Sequence, residues 1–321
     1  MQKILVTRAV FPEVLERLAE HFEVHSNQAD VIWSAPELMA RLADKDGALS
    51  CAVDPLDAAV LAGAPRLRAL CTIAVGYNNI DLGACKRASI VVTHTPGVLD
   101  DTTADMAWAL MLASGRHVLA ADQWLRAGHW RAWKFAQWLG QDVHHATLSI
   151  LGMGRIGQAV ARRAAGFSMR VLYHNRRRCD AAVERQCNAT WVDLPTLLRQ
   201  ADFLVPLLPY SAQAHHIIGA AELALLKPTA HVINVARGGV IDDAALIEAL
   251  AARRIAGAGL DVFEHEPALD PRFLSLDNVV LTPHIGSASA ATRMTMAMLA
   301  VDNLIAVLSG ERPPNPVALP E

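Results

Sequence analysis

Three side chains in the last third of the chain are of types that fit one reaction. Arg237 stands in Asn234-Val235-Ala236-Arg237-Gly238-Gly239, directly after an apolar run. Glu266 stands in Asp261-Val262-Phe263-Glu264-His265-Glu266-Pro267, and His284 in Leu281-Thr282-Pro283-His284-Ile285-Gly286. A guanidinium binds a carboxylate through two parallel hydrogen bonds. An imidazole with a carboxylate on its other nitrogen is held in one tautomer and favoured as a proton donor near neutral pH. With a nicotinamide supplying hydride, such a set reduces a 2-oxo acid. Each residue alone has an ordinary structural reading. Strand-end arginines often pair with a surface acid, and a histidine after proline is often only a satisfied loop residue, so the joint pattern carries the weight.

A second motif supplies the missing hydride carrier. Gly152-Met153-Gly154-Arg155-Ile156-Gly157 follows a short apolar run, 148–151, and precedes an alanine-rich helical pattern. The G-x-G-x-x-G spacing is weak by itself, because glycines also mark ordinary turns. Between a strand and a helix it gains meaning. Gly152 permits the tight turn, Gly154 lets backbone approach a diphosphate, and Gly157 lets helix and strand pack closely. A second strand over 169–174 brings Asn175 to the edge position, where NAD-specific sites place an acid for the ribose 2′-hydroxyl. Arg176, Arg177 and Arg178 follow it. A 2′-phosphate would meet no carboxylate there and would gain guanidinium partners. The expected cofactor is therefore NADP(H), held chiefly by Arg176 and Arg177, with NAD(H) still possible. The competing reading of the run is a solvated helix edge.

The elements that must position these residues alternate along the whole chain. Strands are expected over 3–7, 48–53, 67–73 and 90–93, with helices over 12–21, 36–42, 57–62 and 81–88 between them. An apolar helix over 102–113 is expected to continue toward 125. After the glycine loop come helices over 194–199, 220–225 and 243–253, and strands over 203–207, 231–235, 257–260 and 279–281. A long helix over 288–308 closes the chain. Alternating β and α predicts parallel sheets with helices on both faces, here two doubly wound Rossmann-like α/β domains with a cleft between them. The expected boundaries are 1–99 for the first domain and 100–286 for the dinucleotide domain. The segment 128–138 carries Trp130, Trp133 and Trp138 beside Trp124. It could plug a core or anchor another subunit, and the second is the stronger expectation.

Composition bounds the rest. At 53% hydrophobic and 19% charged, the chain is expected to bury a large core rather than remain disordered. A net charge of -3 gives no reason to expect nucleic acid or another polyanion as partner. Five cysteines without C-x-x-C spacing suit a reducing cytosol. The start reads directly as a strand, and no apolar run was expected to reach membrane-spanning length, so a soluble cytoplasmic protein is expected. His144-His145 and His215-His216 show no matching carboxylate cluster, and adjacent side chains do not share a face, so no metal is expected.

The sequence resembles the D-isomer-specific 2-hydroxyacid dehydrogenases over essentially its whole length. The motifs that carry the resemblance are Val75-Gly76-Tyr77-Asn78-Asn79-Ile80-Asp81, His94-Thr95-Pro96-Gly97, the glycine loop, the Arg237 segment, Gly259-Leu260-Asp261-Val262-Phe263 and Pro283-His284-Ile285-Gly286. Asp142-Val143-His144-His145 makes it most similar to the glyoxylate/hydroxypyruvate and 2-ketogluconate reductases of the family. The resemblance implies catalytic places for Arg237, Glu266 and His284, with His284 as proton donor. It implies substrate-carboxylate contacts from the backbone of Val75 and Gly76. Around the cofactor it implies Thr103, Arg155, Ile156, Pro209, Val235, Asp261 and Gly286, with Asp261 at the nicotinamide end. It also implies a homodimer built around the nucleotide domain, and a C-terminal helical segment, 287–321, that packs back to complete a flavodoxin-like substrate domain over 1–99. One departure is Pro209-Tyr210-Ser211-Ala212-Gln213-Ala214, where the family is richer in polar and threonine side chains. The reaction implied is reduction of glyoxylate, hydroxypyruvate or 2-ketogluconate to the D-2-hydroxy acid. The alternative is a dinucleotide-sensing, corepressor-like binding protein on the same fold.

Overall fold

The computed structural model describes residues 1–320, so the last residue of the expected 287–321 segment lies outside the described chain. Two compact units result. One comprises Met1–Leu99 and the chain from Ala288 on, and the other Asp100–Ser287.

The first unit contains β1 (Lys3–Val6), α1 (Pro12–Ala19), β2 (Glu23–Ser26), α2 (Ala35–Leu42), β3 (Gly47–Ser50), α3 (Ala58–Ala62), β4 (Ala69–Thr72), α4 (Leu82–Arg87) and β5 (Val91–Thr93). The strands form one parallel sheet in the order β2-β1-β3-β4-β5, the flavodoxin-like order. Asp57 and Asp81 start α3 and α4 by accepting the N–H groups of Val60 and Ala84. β3 and β4 are buried throughout, as strands covered on both faces must be. The helices α2, α3 and α4 bury Leu38, Leu42, Val60, Leu61 and Cys85 against Leu5, Ala48, Leu70 and Val92 of the sheet.

The second unit contains α5 (Asp100–Gly115), α6 (Val118–Arg126), β6 (Thr147–Leu151), α7 (Arg155–Ala164), β7 (Arg170–His174), α8 (Ala181–Cys187), β8 (Ala189–Trp191), α9 (Leu194–Gln200) and β9 (Phe203–Pro206). It continues with α10 (Ala220–Leu223), β10 (His231–Asn234), α11 (Asp243–Ala251), β11 (Gly257–Leu260) and β12 (Val279–Leu281). The sheet order is β12-β11-β10-β9-β6-β7-β8, all parallel. Strand order reverses between β6 and β9, which makes the carboxyl end of β6 the expected ligand crevice of a Rossmann sheet. One face buries Trp108, Leu110 and Met111 of α5 with Val160 of α7, and the other buries Leu197 and Leu198 of α9 with Leu246 and Leu250 of α11.

Then α12 (Ala290–Leu308) returns to the first unit, packing on β3, β4 and β5 and beside α1. Contrary to the sequence expectation, this helix has the length and apolarity of a membrane span. Its apolar residues Met296, Ala300, Val301 and Leu304 are instead buried in the unit. The expected continuous helix from 102 toward 125 is also corrected. His117 takes a left-handed backbone, φ 52°, and divides α5 from α6. The tryptophan segment is not a core plug, because Trp130 and Trp133 are 57% and 76% exposed and Phe135 83%.

Candidate active site

The G-x-G-x-x-G turn sits at the carboxyl end of β6. Gly152 has φ +109°, and a Cβ there would stand 2.9 Å from the Leu207 carbonyl oxygen. A Cβ on Gly157 would stand 2.3 Å from the Gly152 carbonyl oxygen, so α7 packs on the strand end only with glycine there. Around Gly154 a Cβ would meet nothing within 4 Å. The N–H groups of Gly154, Arg155 and Ile156 have no acceptor among the described residues. Open space beside unpartnered N–H groups at the start of a helix fits a diphosphate, so these residues suit a dinucleotide. Arg155 is exposed at the mouth of that turn, and Ile156 packs on the core beneath it.

The edge after β7 differs from expectation in one respect. Asn175 Oδ1 accepts the Met153 N–H at 2.7 Å, so its side chain braces the glycine loop. Arg178 is held by Glu184 through two hydrogen bonds of 2.7 Å, and Glu184 also accepts the Tyr173 hydroxyl. Those partners pull the Glu184 pKa down to about 2. Arg176 and Arg177 are exposed, with no carboxylate partner among the described residues.

The three chemistry-bearing residues converge from three strand ends of the same sheet. Asn234, buried at the end of β10, accepts the Ala236 N–H at 3.0 Å and donates to the Arg237 carbonyl at 3.1 Å, shaping the Arg237 turn. The guanidinium is half-buried and hydrogen-bonded to the Ala236 carbonyl at 2.7 Å. Burial draws its pKa down, and the charge of Glu266 acts in the other direction. Gly238, next along, would place a Cβ 1.8 Å from the Phe263 carbonyl oxygen, so this turn lies directly on the segment that carries Glu266.

Glu266 uses both carboxylate oxygens. Oε1 accepts the Phe263 N–H at 2.8 Å, and Oε2 meets His284 Nδ1 at 2.6 Å. Burial pushes the Glu266 pKa up, but the hydrogen bond and charge of His284, the Phe263 N–H and the charge of Arg237 outweigh it. The carboxyl therefore ends below the usual carboxylate range. An ionised carboxylate can only accept, so Nδ1 carries the proton towards Glu266 and Nε2 is the nitrogen left to face a substrate.

Asp261 sets the histidine. It is almost fully buried, and its Oδ1 accepts the Thr282 hydroxyl at 2.7 Å and the Ile285 N–H at 2.8 Å. Its Oδ2 accepts the Gly286 N–H at 2.7 Å, and its carbonyl the His284 N–H at 2.9 Å. The carboxylate thus clamps the loop in which His284 holds a left-handed φ of 53°. Thr103, Val235 and Gly286 are buried in this unit, a Gly286 Cβ lying 3.7 Å from Thr103 Cγ2, whereas Pro209 is exposed.

In the first unit, Val75 and Gly76 follow β4 and are half-buried. His94 Nδ1 ties down the Val75 carbonyl at 2.9 Å, while the N–H groups of Val75 and Gly76 have no partner among the described residues.

The histidine pair at 215–216 departs from expectation. His216 has φ 51°, which turns its ring onto the same side as that of His215, with centroids 3.8 Å apart. Its Nε2 meets Glu264, a carboxylate 48 positions away that the sequence alone could not bring there. No local signal marked Glu264, since only the loops after β9 and β11 coming together create the contact.

Comparison with known proteins gives the chain's relatives. A family model described as D-isomer specific 2-hydroxyacid dehydrogenase, NAD binding domain, matches residues 108–286. A glyoxylate reductase of Thermococcus onnurineus is 44% identical over 316 residues, covering 97% of this chain and 94% of that protein. A glyoxylate/hydroxypyruvate reductase B of Pectobacterium carotovorum is 46% identical over 310 residues, covering 96% and 95%. Among solved structures, an NADPH-dependent glyoxylate/hydroxypyruvate reductase of Sinorhizobium meliloti, in complex with NADP and malonate, is 36% identical. It superposes with a TM-score of 0.87, covering 99% of this chain and 97% of the other.

Proposed function

The chain belongs to the D-isomer-specific 2-hydroxyacid dehydrogenases, and from that premise we propose that it reduces glyoxylate or hydroxypyruvate to the D-2-hydroxy acid, with NADPH as preferred donor. The observation that carries the reading is the Glu266–His284 contact of 2.6 Å beside the half-buried Arg237 guanidinium. That assembly favours an enzyme over a dinucleotide-sensing binding protein, because sensing needs no proton donor.

In the proposed mechanism Arg237 holds the substrate carboxylate through its planar fork and fixes the carbonyl. A nicotinamide dinucleotide held at the Gly152–Gly157 turn would supply the hydride for the carbonyl carbon. His284 gives its Nε2 proton to the carbonyl oxygen as negative charge develops there, and Glu266 stabilises the imidazolium and holds its orientation. From the first unit we assign the free N–H groups of Val75 and Gly76 to the carboxylate as well. Residues 1–99 with the C-terminal segment are thus the proposed substrate domain, and 100–286 the proposed dinucleotide domain. NADPH preference rests on exposed, unpaired Arg176 and Arg177, and on the absence of an acid at position 175. Thr103, Pro209 and Val235 are assigned to the cofactor on the family resemblance.

A homodimer is part of the proposal. The exposed apolar side chains of Trp130, Trp133, Phe135 and Leu139 present the aromatic content that subunit interfaces favour. Steady-state assays with glyoxylate, hydroxypyruvate and 2-ketogluconate, each with NADPH and NADH, test the reading. Reduction of none of the three acids would sink it, and NADH-preferring reduction would sink the cofactor assignment. A monomer by light scattering would remove the dimer.

A further inference from the structure

The loops that follow β9, β10 and β11 bring together a cluster that the proposed reaction does not use. One ligand atom each from His215, His216 and Glu264 lie within 4.8 Å of one another. His215 and His216 stack at an interplanar angle of 24°, and His216 Nε2 already contacts Glu264 Oε1. His216 Nδ1 lies 3.9 Å from Asp242 Oδ2, and the Glu264 N–H donates to Asp243 Oδ2 at 3.0 Å. The Tyr210 hydroxyl contacts His215 Nδ1 at 3.2 Å, which orients that ring. His215 is exposed, and His216 and Glu264 are half-buried, so an ion from solvent can reach the donors.

Adjacent histidines normally point apart and cannot chelate. Here the left-handed backbone at His216 removes that objection by turning both rings to one side. Two imidazoles and one carboxylate, with two further carboxylates near them, form a nitrogen-rich, net-negative donor set. Such sets select borderline ions of the Zn2+ type, while Mg2+ and Ca2+ require oxygen donors. Bond lengths near 2.1 Å in a tetrahedral site place ligand atoms about 3.4 Å apart. Ligation requires the His216–Glu264 contact to open and the exposed His215 ring to turn towards the ion.

We propose that His215, His216 and Glu264 form a binding site for a divalent transition metal ion of the Zn2+ class. The site is independent of the reaction proposed above, and binding rather than turnover tests it. Tag-free, EDTA-stripped enzyme is titrated calorimetrically with Zn2+, with Mg2+ as control, and separately followed by visible absorption with Co2+. The expected result is one Zn2+ per chain at micromolar affinity, no Mg2+ binding, and Co2+ bands without thiolate charge transfer. His215→Ala and Glu264→Gln should each weaken Zn2+ binding at least about tenfold, which is about 1.4 kcal/mol, while keeping the wild-type melting temperature without metal. His215→Ala lies on an exposed side chain, so its result does not depend on the fold surviving. Zn2+ affinity within threefold of wild type in His215→Ala overturns the proposal. So does a thiolate band, which would assign the ion to cysteine, or no Zn2+ binding below about 100 μM.

Discussion

Gly238→Ala probes the contact on which the relative placement of Arg237 and Glu266 depends. No left-handed φ restricts Gly238, so alanine suits the backbone and only the contact is tested. The added methyl carbon would sit 1.8 Å from the Phe263 carbonyl oxygen and 2.7 Å from the Glu264 nitrogen. Carbon and oxygen ordinarily meet at about 3.3 Å, so the two segments must part by about 1.5 Å. Arg237 lies on one side of that parting, and the Glu266–His284 pair lies on the other. Separating a substrate clamp from its proton donor by about 1 Å costs on the order of 100-fold in rate. The expected loss in kcat/KM is thus about 100-fold, or about 2.7 kcal/mol of transition-state stabilisation. NADPH affinity, read by fluorescence titration, should change little, because Gly152 to Gly157 are untouched. A kcat/KM within about fivefold of wild type would refute the reasoning, and so would an equal loss of cofactor affinity.

Arg237→Lys keeps the charge but loses the planar fork, so kcat/KM should fall at least about tenfold, the scale of one charge-assisted hydrogen bond; near wild-type kinetics would remove Arg237 from the substrate. Replacing Arg176 and Arg177 together by alanine should raise the KM for NADPH far more than that for NADH, and high salt should reproduce part of the effect in wild type. Equal weakening for both cofactors would show that the pair is not a phosphate site. The third test is thermodynamic. Burial, with some help from the charge of His117, pulls the His231 pKa from 6.5 down to about 4. Between those values only the unfolded chain takes the proton, so this contribution is complete above pH 6.5 and lost as pH falls towards 4. It amounts to about 3 kcal/mol on a scale of about 1.4 kcal/mol per pKa unit. Asp243, which burial raises to about 6, works in the opposite sense between about pH 4 and 6. The quantity to measure is therefore the difference in urea unfolding free energy between wild type and His231→Gln. That difference should fall by about 3 kcal/mol from pH 7 to pH 4, and a pH-independent difference would contradict the assignment.

Buried strands and the strand-end motifs were legible because both depend on local chemistry. β9 is a continuous apolar run and β10 is buried throughout, and Arg237, Glu266 and His284 each stand a few residues beyond a strand end. What escaped lies at sheet edges or depends on distant partners. β2 reads Glu23-Val24-His25-Ser26 and is largely exposed at the end of its sheet, so no apolar pattern marks it. β8, with the short helix α8 before it, is the same case at the edge of the second sheet. The break at His117 depends on one left-handed residue of a type that ordinarily allows a helix to continue. In the site, the arginine run was legible as phosphate partners, chiefly Arg176 and Arg177, but nothing in the sequence shows that Glu184 holds Arg178. Nor does it show that the Asn175 amide oxygen accepts the Met153 N–H.

The return of α12 to the first unit gives the chain an order of assembly. A Cβ on Gly47 would press within 2.9 Å of Leu304 and Leu308, and Gln2 Nε2 donates to the Leu308 carbonyl at 3.1 Å. The sheet of the first unit is therefore completed by a helix that follows it in the chain only after the whole second unit. Residues 100–287 can fold as a unit while one face of β3, β4 and β5 is still without its cover. During that interval the nascent chain displays an apolar sheet face to holdase chaperones, and a chain cut short before Ala290 would leave that face permanently bare. Translation arrest before Ala290 should thus yield a well-folded second unit joined to an aggregation-prone first one.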